Sequence, residues 1–222
     1  MLKTKDLYDL THTKAAGLLE KTEYPWEALD GIKELIIEIG KTLPADEYDE
    51  ISENVWVAKD ATVFATAYLG APCIIGHKTE VRQCAFVRGS ALVGDNCVVG
   101  NSTELKNVIL FDNVQVPHYN YVGDSILGYK SHMGAGSVTS NVKSDKTPVT
   151  VKDRDGNRIE TGRKKMGAML GDFVEVGCNS VLNPGTVIGR HSNVYPTSCV
   201  RGVVPENSIW KNAENVIVKE NR

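Results

Sequence analysis

The stretch TEVRQCAFVRGSALVGDNCVVGNSTEL, residues 79–105, decides the fold because an aliphatic side chain recurs in it at every sixth position. These side chains are Val81, Val87, Val93, Val99 and Leu105. The residue two positions before each is mostly small, and glycine follows at Gly94 and Gly100. A period of six is neither the 3.6 of a helix nor the simple alternation of a strand. It predicts a solenoid of short strands and tight turns, with one buried aliphatic side chain per hexad.

The same period continues on both sides of this stretch. It includes Val57, Val63, Leu69 and Ile75 upstream, Phe111 downstream, and later Leu170, Val176, Leu182, Ile188, Val194 and Val200. The pattern resembles the hexapeptide-repeat left-handed β-helix, in which three hexads make one triangular coil. The resemblance implies a mainly β protein in which residues 18 apart stack on neighbouring coils, with about seven coils between residues 51 and 204.

Three segments lie outside the period. Residues 1–50 are predicted to be helical, because PWEALDGIKELIIEIGKTL places apolar side chains on one face and begins with proline, and we expect them to pack on or near the open end of the solenoid. Residues 142–166 are charged, and their Asp155-Gly156 pair predicts a hairpin. This excursion either reaches a neighbouring subunit or covers a ligand, or else the segment is only a solvated loop. Residues 205–222 are expected to form a terminal strand or short cap.

Composition narrows the function classes. The 222 residues carry a net charge of −3, which does not suggest nucleic-acid binding, and no apolar run is long enough to span a membrane. The N-terminal MLKTKDLYDL lacks an apolar signal core, so a cytoplasmic location is expected. The five cysteines are odd in number and form no CxxC motif, which predicts reduced, mostly packed thiols rather than disulfides or a zinc site.

Basic residues stand at three positions where the repeat usually has glycine, namely Arg82, Arg88 and Lys106. Arg88 and Lys106 are 18 residues apart, so they should stack on one face about 4.8 Å apart. Two stacked cations repel each other unless an anion lies between them, and an Arg beside a Lys suits a phosphate. The alternatives from spacing alone are two solvated side chains or an ion pair with Glu104.

The period slips in VPHYNYVGDSILG, residues 116–128. Counted from Phe111, the next buried positions are expected at Val116, five residues on, then at Val122 and Leu127. His118 lies between the two slips, about half a coil beyond Lys106. It is therefore either a catalytic group near the same groove or an ordinary packed or solvated histidine.

The runs VRGSALVGDN, STELKNVIL, PHYNYVGDS and MGAGSVTSN together resemble the C-terminal acetyltransferase domain of the bifunctional N-acetylglucosamine-1-phosphate uridylyltransferase/glucosamine-1-phosphate acetyltransferase. They also resemble smaller hexapeptide proteins related to sugar nucleotidyltransferases. The resemblance covers residues 80–200, interrupted by the insertion at 142–166. It rests on the combination of HxxYxGD and GAGxxTxN, since neither element is specific alone.

The resemblance implies a role for each matching position. His118 corresponds to the catalytic base, Arg88 and Lys106 to the residues that bind the sugar phosphate, and Tyr121 to a sugar contact. His132 replaces an asparagine that contacts the sugar, and Lys165 falls near a basic position. The implied acetyl-CoA positions are Ala135, Asn141 and Cys178, the last replacing a serine; Val142 replaces a tyrosine.

The implied function is an acetyl-CoA-dependent N-acetyltransferase that acts on an amino-sugar phosphate in UDP-N-acetylglucosamine biosynthesis, without a metal, as a homotrimer. Residues 1–50 lack the length and the phosphate-binding motif of a nucleotidyltransferase domain. Acyl transfer through the Cys178 thiol is a further route. The departures at His132 and Val142 leave open a non-catalytic trimer that binds a sugar nucleotide or scaffolds a partner. The histidine spacings offer no HxxxxH pair for a γ-class carbonic anhydrase.

Overall fold

The computed structural model describes residues 1–219 as a parallel β-helix with three faces, which confirms the fold predicted from the period of six. Face 1 contains β2 Val55–Ala58, β5 Cys73–Ile75, β8 Ala91–Val93, the second halves of β10 Glu104–Leu110 and β12 Tyr121–Leu127, β17 Ala168–Leu170, β20 Thr186–Ile188 and β23 Val203–Val204. Face 2 contains β3 Thr62–Val63, β6 Glu80–Val81, β9 Val98–Asn101, β11 Gln115–His118, β13 His132–Met133, β18 Glu175–Val176, β21 Asn193–Val194 and β24 Ser208–Asn212. Face 3 contains β4 Tyr68–Leu69, β7 Phe86–Val87, the first halves of β10 and β12, β14 Val138–Thr139, β19 Val181–Leu182 and β22 Cys199–Val200.

Each coil repeats the one below it in register. Val81 pairs with Val99, 18 residues later, and both side chains are fully buried. At most corners of the early coils, the third residue after the buried aliphatic has a positive φ, for example 59° at Cys84 and 50° at Ser90. These left-handed residues turn the chain from one face to the next, and the buried aliphatic side chains fill the axis between the faces.

The first of the two predicted slips lies one hexad earlier than expected, and the second, just before Leu127, is confirmed. Leu110, not Phe111, occupies the ladder position, because it pairs with Val93 on one side and Leu127 on the other, each 17 residues away. Phe111 is also fully buried, but its ring contacts that of Tyr8, with centroids 5.0 Å apart. The prediction that Phe111 holds the ladder position is wrong because Leu110 and Phe111 are adjacent and both apolar, so the sequence alone does not distinguish them.

The helical part of residues 1–50 lies along face 1 and not at the open end of the solenoid, where only the last few of these residues, in a strand, cover the first coil. The helical part forms α1 Thr4–Leu7, α2 Ala16–Leu19 and α3 Ile32–Gly40, together with the 3₁₀ turns Leu10–His12 and Pro25–Asp30. Face 1 accepts them because its strands are apolar on both sides: Trp56, Ile74, Leu92, Ile109 and Ile126 point away from the axis and are nevertheless buried. No helix within residues 1–219 is both long and apolar enough to cross a bilayer.

Within the described part of the chain, antiparallel strands interrupt or close the ladder at three places. β1 Tyr48–Ser52 pairs with β2 at the first coil, and β25 Asn215–Val218 pairs with β24 at the last. The inserted segment contains the hairpin of β15 Thr150–Lys152 and β16 Arg158–Glu160, whose turn includes Asp155-Gly156. The hairpin folds back on its own solenoid, since Val149 and Val151 are fully buried.

The five cysteines are free, and only Cys73 and Cys97 are buried. Cys84, Cys178 and Cys199 are exposed. The expectation of mostly packed thiols is therefore wrong, because corner positions and the outer side of face 3 accept cysteine as readily as the axis does.

Candidate active site

The boundary between faces 3 and 1 carries two stacked cations, as the 18-residue spacing predicted. Val87 pairs with Leu105, and therefore Arg88 and Lys106, the next residues, occupy matching positions on neighbouring coils. Lys106 in turn pairs with Gly123. We call this boundary, with Arg88, Lys106, Asp124 and Asn141, the cation edge.

Asp124 organises the cation edge, and the sequence reasoning did not single it out. Its side chain is 4% exposed and accepts hydrogen bonds from Lys106 Nζ at 3.1 and 3.2 Å. It also accepts from Asn107 Nδ2 at 3.0 Å and from Asn141 Nδ2 at 2.5 Å. A buried carboxylate is stable only when its oxygens are paired in this way. Asp124 therefore fixes the positions of three polar side chains at once.

Tyr121 is joined to the same network. Asn141 Nδ2 donates to the Tyr121 hydroxyl at 3.1 Å as well as to Asp124. Burial raises the pKa of the Tyr121 phenol, and the nearby carboxylates of Asp124 and Glu104 raise it further. The phenol is thus held in its neutral form, which can donate a hydrogen bond.

Arg88 forms an ion pair with Glu104, with 2.8 Å between Nη1 and Oε1. The alternative that spacing left open is therefore realised in this structure. The Arg88 side chain is 48% exposed, and its other guanidinium nitrogens can still meet an anion. Lys106 likewise keeps 28% of its side chain exposed. The pairing does not remove either cation from the surface.

The opposite boundary of face 3, where it meets face 2, carries the predicted base. His118 is exposed and ends β11, and its carbonyl accepts from Gly136 N at 2.9 Å. Ala135 O accepts from Asn179 N at 2.8 Å, so His118, Ala135 and Cys178 lie at one corner on successive coils. We call this corner the histidine edge. Within residues 1–219 the imidazole of His118 forms no hydrogen bond.

The remaining predicted residues are divided between the faces. Asn141 was grouped with Ala135 and Cys178, but it lies at the cation edge. Lys165 is exposed beside it, because the next residue, Met166, donates its N–H to Asn141 O at 3.0 Å. His132 lies on face 2, where its Nδ1 is 2.8 Å from Glu175 Oε2. Within one chain His132 is therefore apart from both edges of face 3.

An open groove of about 400 Å³ lies along the cation edge. It is lined by Lys33, Ala71, Pro72, Arg88, Gly89, Ser90, Lys106 and Asn107. Gly89 is required there, because it has a φ of +111° and an added Cβ would lie 2.3 Å from the carbonyl oxygen of Ala71. Lys33 had no signal in the sequence, since only the docking of α3 on face 1 brings it to this groove. Among the described residues, no three His, Cys, Asp or Glu side chains converge as a metal site requires.

The chain belongs to the family described as the GMPPB C-terminal domain, whose model matches residues 72–218. It is 34% identical over 107 residues to the bifunctional sugar-1-phosphate nucleotidylyltransferase/acetyltransferase of Sulfurisphaera tokodaii, covering 48% of this chain and 26% of that protein. It is 31% identical over 209 residues to the bifunctional protein GlmU of Methanocaldococcus jannaschii, covering 93% of this chain and 51% of that protein. These relatives confirm the resemblance drawn from the motifs. The chain spans only about a quarter to a half of their length.

Two solved structures with similarity to the chain are distant. The acetyltransferase domain of PglB from Neisseria gonorrhoeae, in complex with acetyl coenzyme A, is 13% identical with a TM-score of 0.35, covering 73% of this chain and 56% of that one. The second is a point mutant of GDP-perosamine N-acetyl transferase from Caulobacter crescentus, in complex with CoA and GDP-perosamine. Its sequence identity is 14% and its TM-score 0.32, over 74% of this chain and 56% of that one.

Proposed function

We propose that the protein is an acetyl-CoA-dependent N-acetyltransferase that acts on an amino sugar carrying a phosphate, either a sugar phosphate or a sugar nucleotide. The observation that carries this proposal is the cation edge. There Arg88 and Lys106 stack on neighbouring coils, and Asp124 ties Lys106 to Tyr121 through Asn141. Two cations beside a neutral phenol suit a phosphorylated sugar. The name of the Sulfurisphaera tokodaii relative, which includes acetyltransferase, supports the same interpretation.

In the proposed reaction the free amine of the acceptor attacks the thioester carbonyl of acetyl-CoA. A C–N bond forms and the C–S bond breaks, so the amine must lose a proton and the CoA sulfur must gain one. His118 is the proposed base that takes the amine proton and returns it to the departing thiolate. The cation edge holds the phosphate and thereby orients the amine. Ala135 and Cys178, which share the histidine edge with His118, are the proposed contacts of acetyl-CoA.

A homotrimer is part of the proposal, with the sites in the clefts between parallel solenoids. Outward-pointing side chains on face 3 form one column in register, namely Tyr68, Phe86, Glu104, Tyr121, Val138, Val181 and Cys199. Tyr68, Phe86 and Val181 expose 59%, 43% and 38% of their surfaces. Such an apolar column between the two edges supports packing against another copy of the chain.

The second candidate is a non-catalytic trimer that binds a sugar nucleotide. It is favoured by one observation: within the described residues no group hydrogen-bonds the His118 ring, whereas a catalytic base is usually oriented by a partner. An enzyme and a binding protein differ in whether the thioester is cleaved.

Release of free thiol from acetyl-CoA, measured against a panel of amino-sugar 1-phosphates and amino-sugar nucleotides, tests the proposal. We expect turnover with at least one acceptor and its loss in His118→Ala. Because His118 is exposed, the variant should keep the oligomeric state and melting temperature of the parent. Tyr119→Ala is the matched control, since Tyr119 is the next residue and is 63% exposed. The absence of turnover with every acceptor in an intact trimer would favour the binding protein.

A further inference from the structure

The groove at the cation edge contains a third cation that comes from outside the β-helix. Lys33 lies in the first turn of α3, which spans Ile32–Gly40. Ile32 and Ile36 of this helix are fully buried, and α3 packs on face 1 beside β8 and β10. This docking leaves the exposed Lys33 on the wall of the groove that Arg88 and Lys106 also line.

The charges in the groove do not cancel. Arg88 is paired with Glu104, and Lys106 with Asp124. Within residues 1–219, no carboxylate lies within 4 Å of the Lys33 ammonium, which leaves the groove with one more cation than it has carboxylates. The Ser90 hydroxyl and the second N–H of the Asn107 amide, whose first N–H is donated to Asp124, add uncharged hydrogen-bond donors to the same wall. Three cations with two neutral donors fit the three non-bridging oxygens of a phosphate monoester.

We propose that Lys33 binds the phosphate of the acceptor together with Arg88 and Lys106, so that the N-terminal helical segment forms part of the acceptor site. This inference rests on the proposed function for the identity of the ligand. It makes the position of α3 on face 1 a determinant of specificity. A phosphorylated amino sugar gains an interaction that the same sugar without its phosphate does not.

The experiment measures binding and turnover separately. Isothermal titration calorimetry of the full chain with glucosamine 1-phosphate, and with inorganic phosphate as a competitor, gives the affinity without requiring any reaction. Lys33→Gln should weaken binding of the sugar phosphate about tenfold, Lys33→Glu should weaken it further, and Lys33→Arg should restore it. Lys41→Gln is the matched control, because Lys41 is exposed at the other end of the same helix and does not line the groove.

Steady-state thiol release then separates a role in phosphate binding from a general effect. Lys33→Gln should raise KM for the phosphorylated acceptor by a similar factor, with kcat and the KM for acetyl-CoA within about twofold of the parent. Glucosamine without phosphate should be used equally by both proteins. If the parent binds glucosamine 1-phosphate in a Lys33-dependent manner but releases no thiol with any acceptor of the panel, the proposed function is wrong, whereas the role of Lys33 in phosphate binding stands. Equal affinities in Lys33→Gln and Lys41→Gln, or no phosphate binding by the parent, would overturn the inference.

Discussion

Asp124→Asn is the substitution that most directly tests how the cation edge is held together. Asp124 has a φ of 48°, a left-handed conformation that asparagine tolerates well, so the change removes the charge without adding backbone strain. The asparagine keeps one acceptor oxygen, but its NH₂ group would face the donors of Lys106, Asn107 and Asn141. At least one of these donors then loses its partner inside the protein.

The magnitude follows from the burial of the two charges. Removing one partner of a fully buried ion pair costs about 3–5 kcal/mol. Lys106 keeps 28% of its side chain exposed, so water replaces part of the lost interaction, and we expect the free energy of unfolding to fall by about 2–3 kcal/mol. Chemical denaturation followed by circular dichroism measures this change, provided that the denaturant dependence stays the same in both proteins.

Glu104→Gln is the matched control, because it removes the other carboxylate of the same groove. Its ion pair with Arg88 is exposed, and the expected loss is below about 1 kcal/mol. A loss below about 0.5 kcal/mol in Asp124→Asn, or equal losses in the two variants, would refute the claim that Asp124 organises this edge.

Three further predictions concern the fold. Gly100→Ala should reduce the free energy of unfolding by more than about 3 kcal/mol, because the added Cβ would lie 1.6 Å from Pro117 O. Gly17→Ala is the control and should leave the stability unchanged, because no atom lies within 4 Å of its added Cβ. Equal stabilities of the two variants in thermal denaturation would contradict the close packing of the coils. Burial raises the pKa of the Cys73 and Cys97 thiols to about 12, so a thiol reagent at about pH 8 should label neither of them until the protein is denatured. Detection of either modified thiol by mass spectrometry of the native protein would contradict their burial. Burial also raises the pKa of Asp112, so the folded state holds the carboxyl proton more tightly than the unfolded state does. Asp112→Asn should therefore stabilise the protein at about pH 7, and this advantage should disappear as the pH falls through the folded-state pKa. A difference in stability between the two proteins that does not change with pH would contradict this origin.

The sequence predicted the β-helix because the buried position of each hexad is periodic and almost always aliphatic. It also predicted that Arg88 and Lys106 stack, since an 18-residue spacing is one coil. It could not place the slip, because Leu110 and Phe111 are both buried, one inside the coil and one beneath the N-terminal segment. Local apolarity does not separate these two environments.

The sequence also carries a signal for the position of the N-terminal segment. Strands of face 1 carry an apolar residue immediately before the buried aliphatic, such as Ile74 and Leu92, whereas face 2 mostly carries a polar residue there, such as Glu80. A strand that is apolar on both sides must be covered on both sides. Lys33 could not have been found in this way, since its role depends on where the helix docks and not on its own neighbours in the sequence.

The antiparallel strands at the two ends of the ladder have a consequence for self-assembly. A solenoid coil presents its backbone N–H and C=O groups along the axis, so an uncovered terminal coil is a template on which another chain could continue the stack into a fibre. β1 at the first coil and β25 beyond β24 at the last run against the direction of the repeat. A chain shortened before β25 would therefore gain a growing end, and the defect would appear as concentration-dependent polymerisation rather than as unfolding.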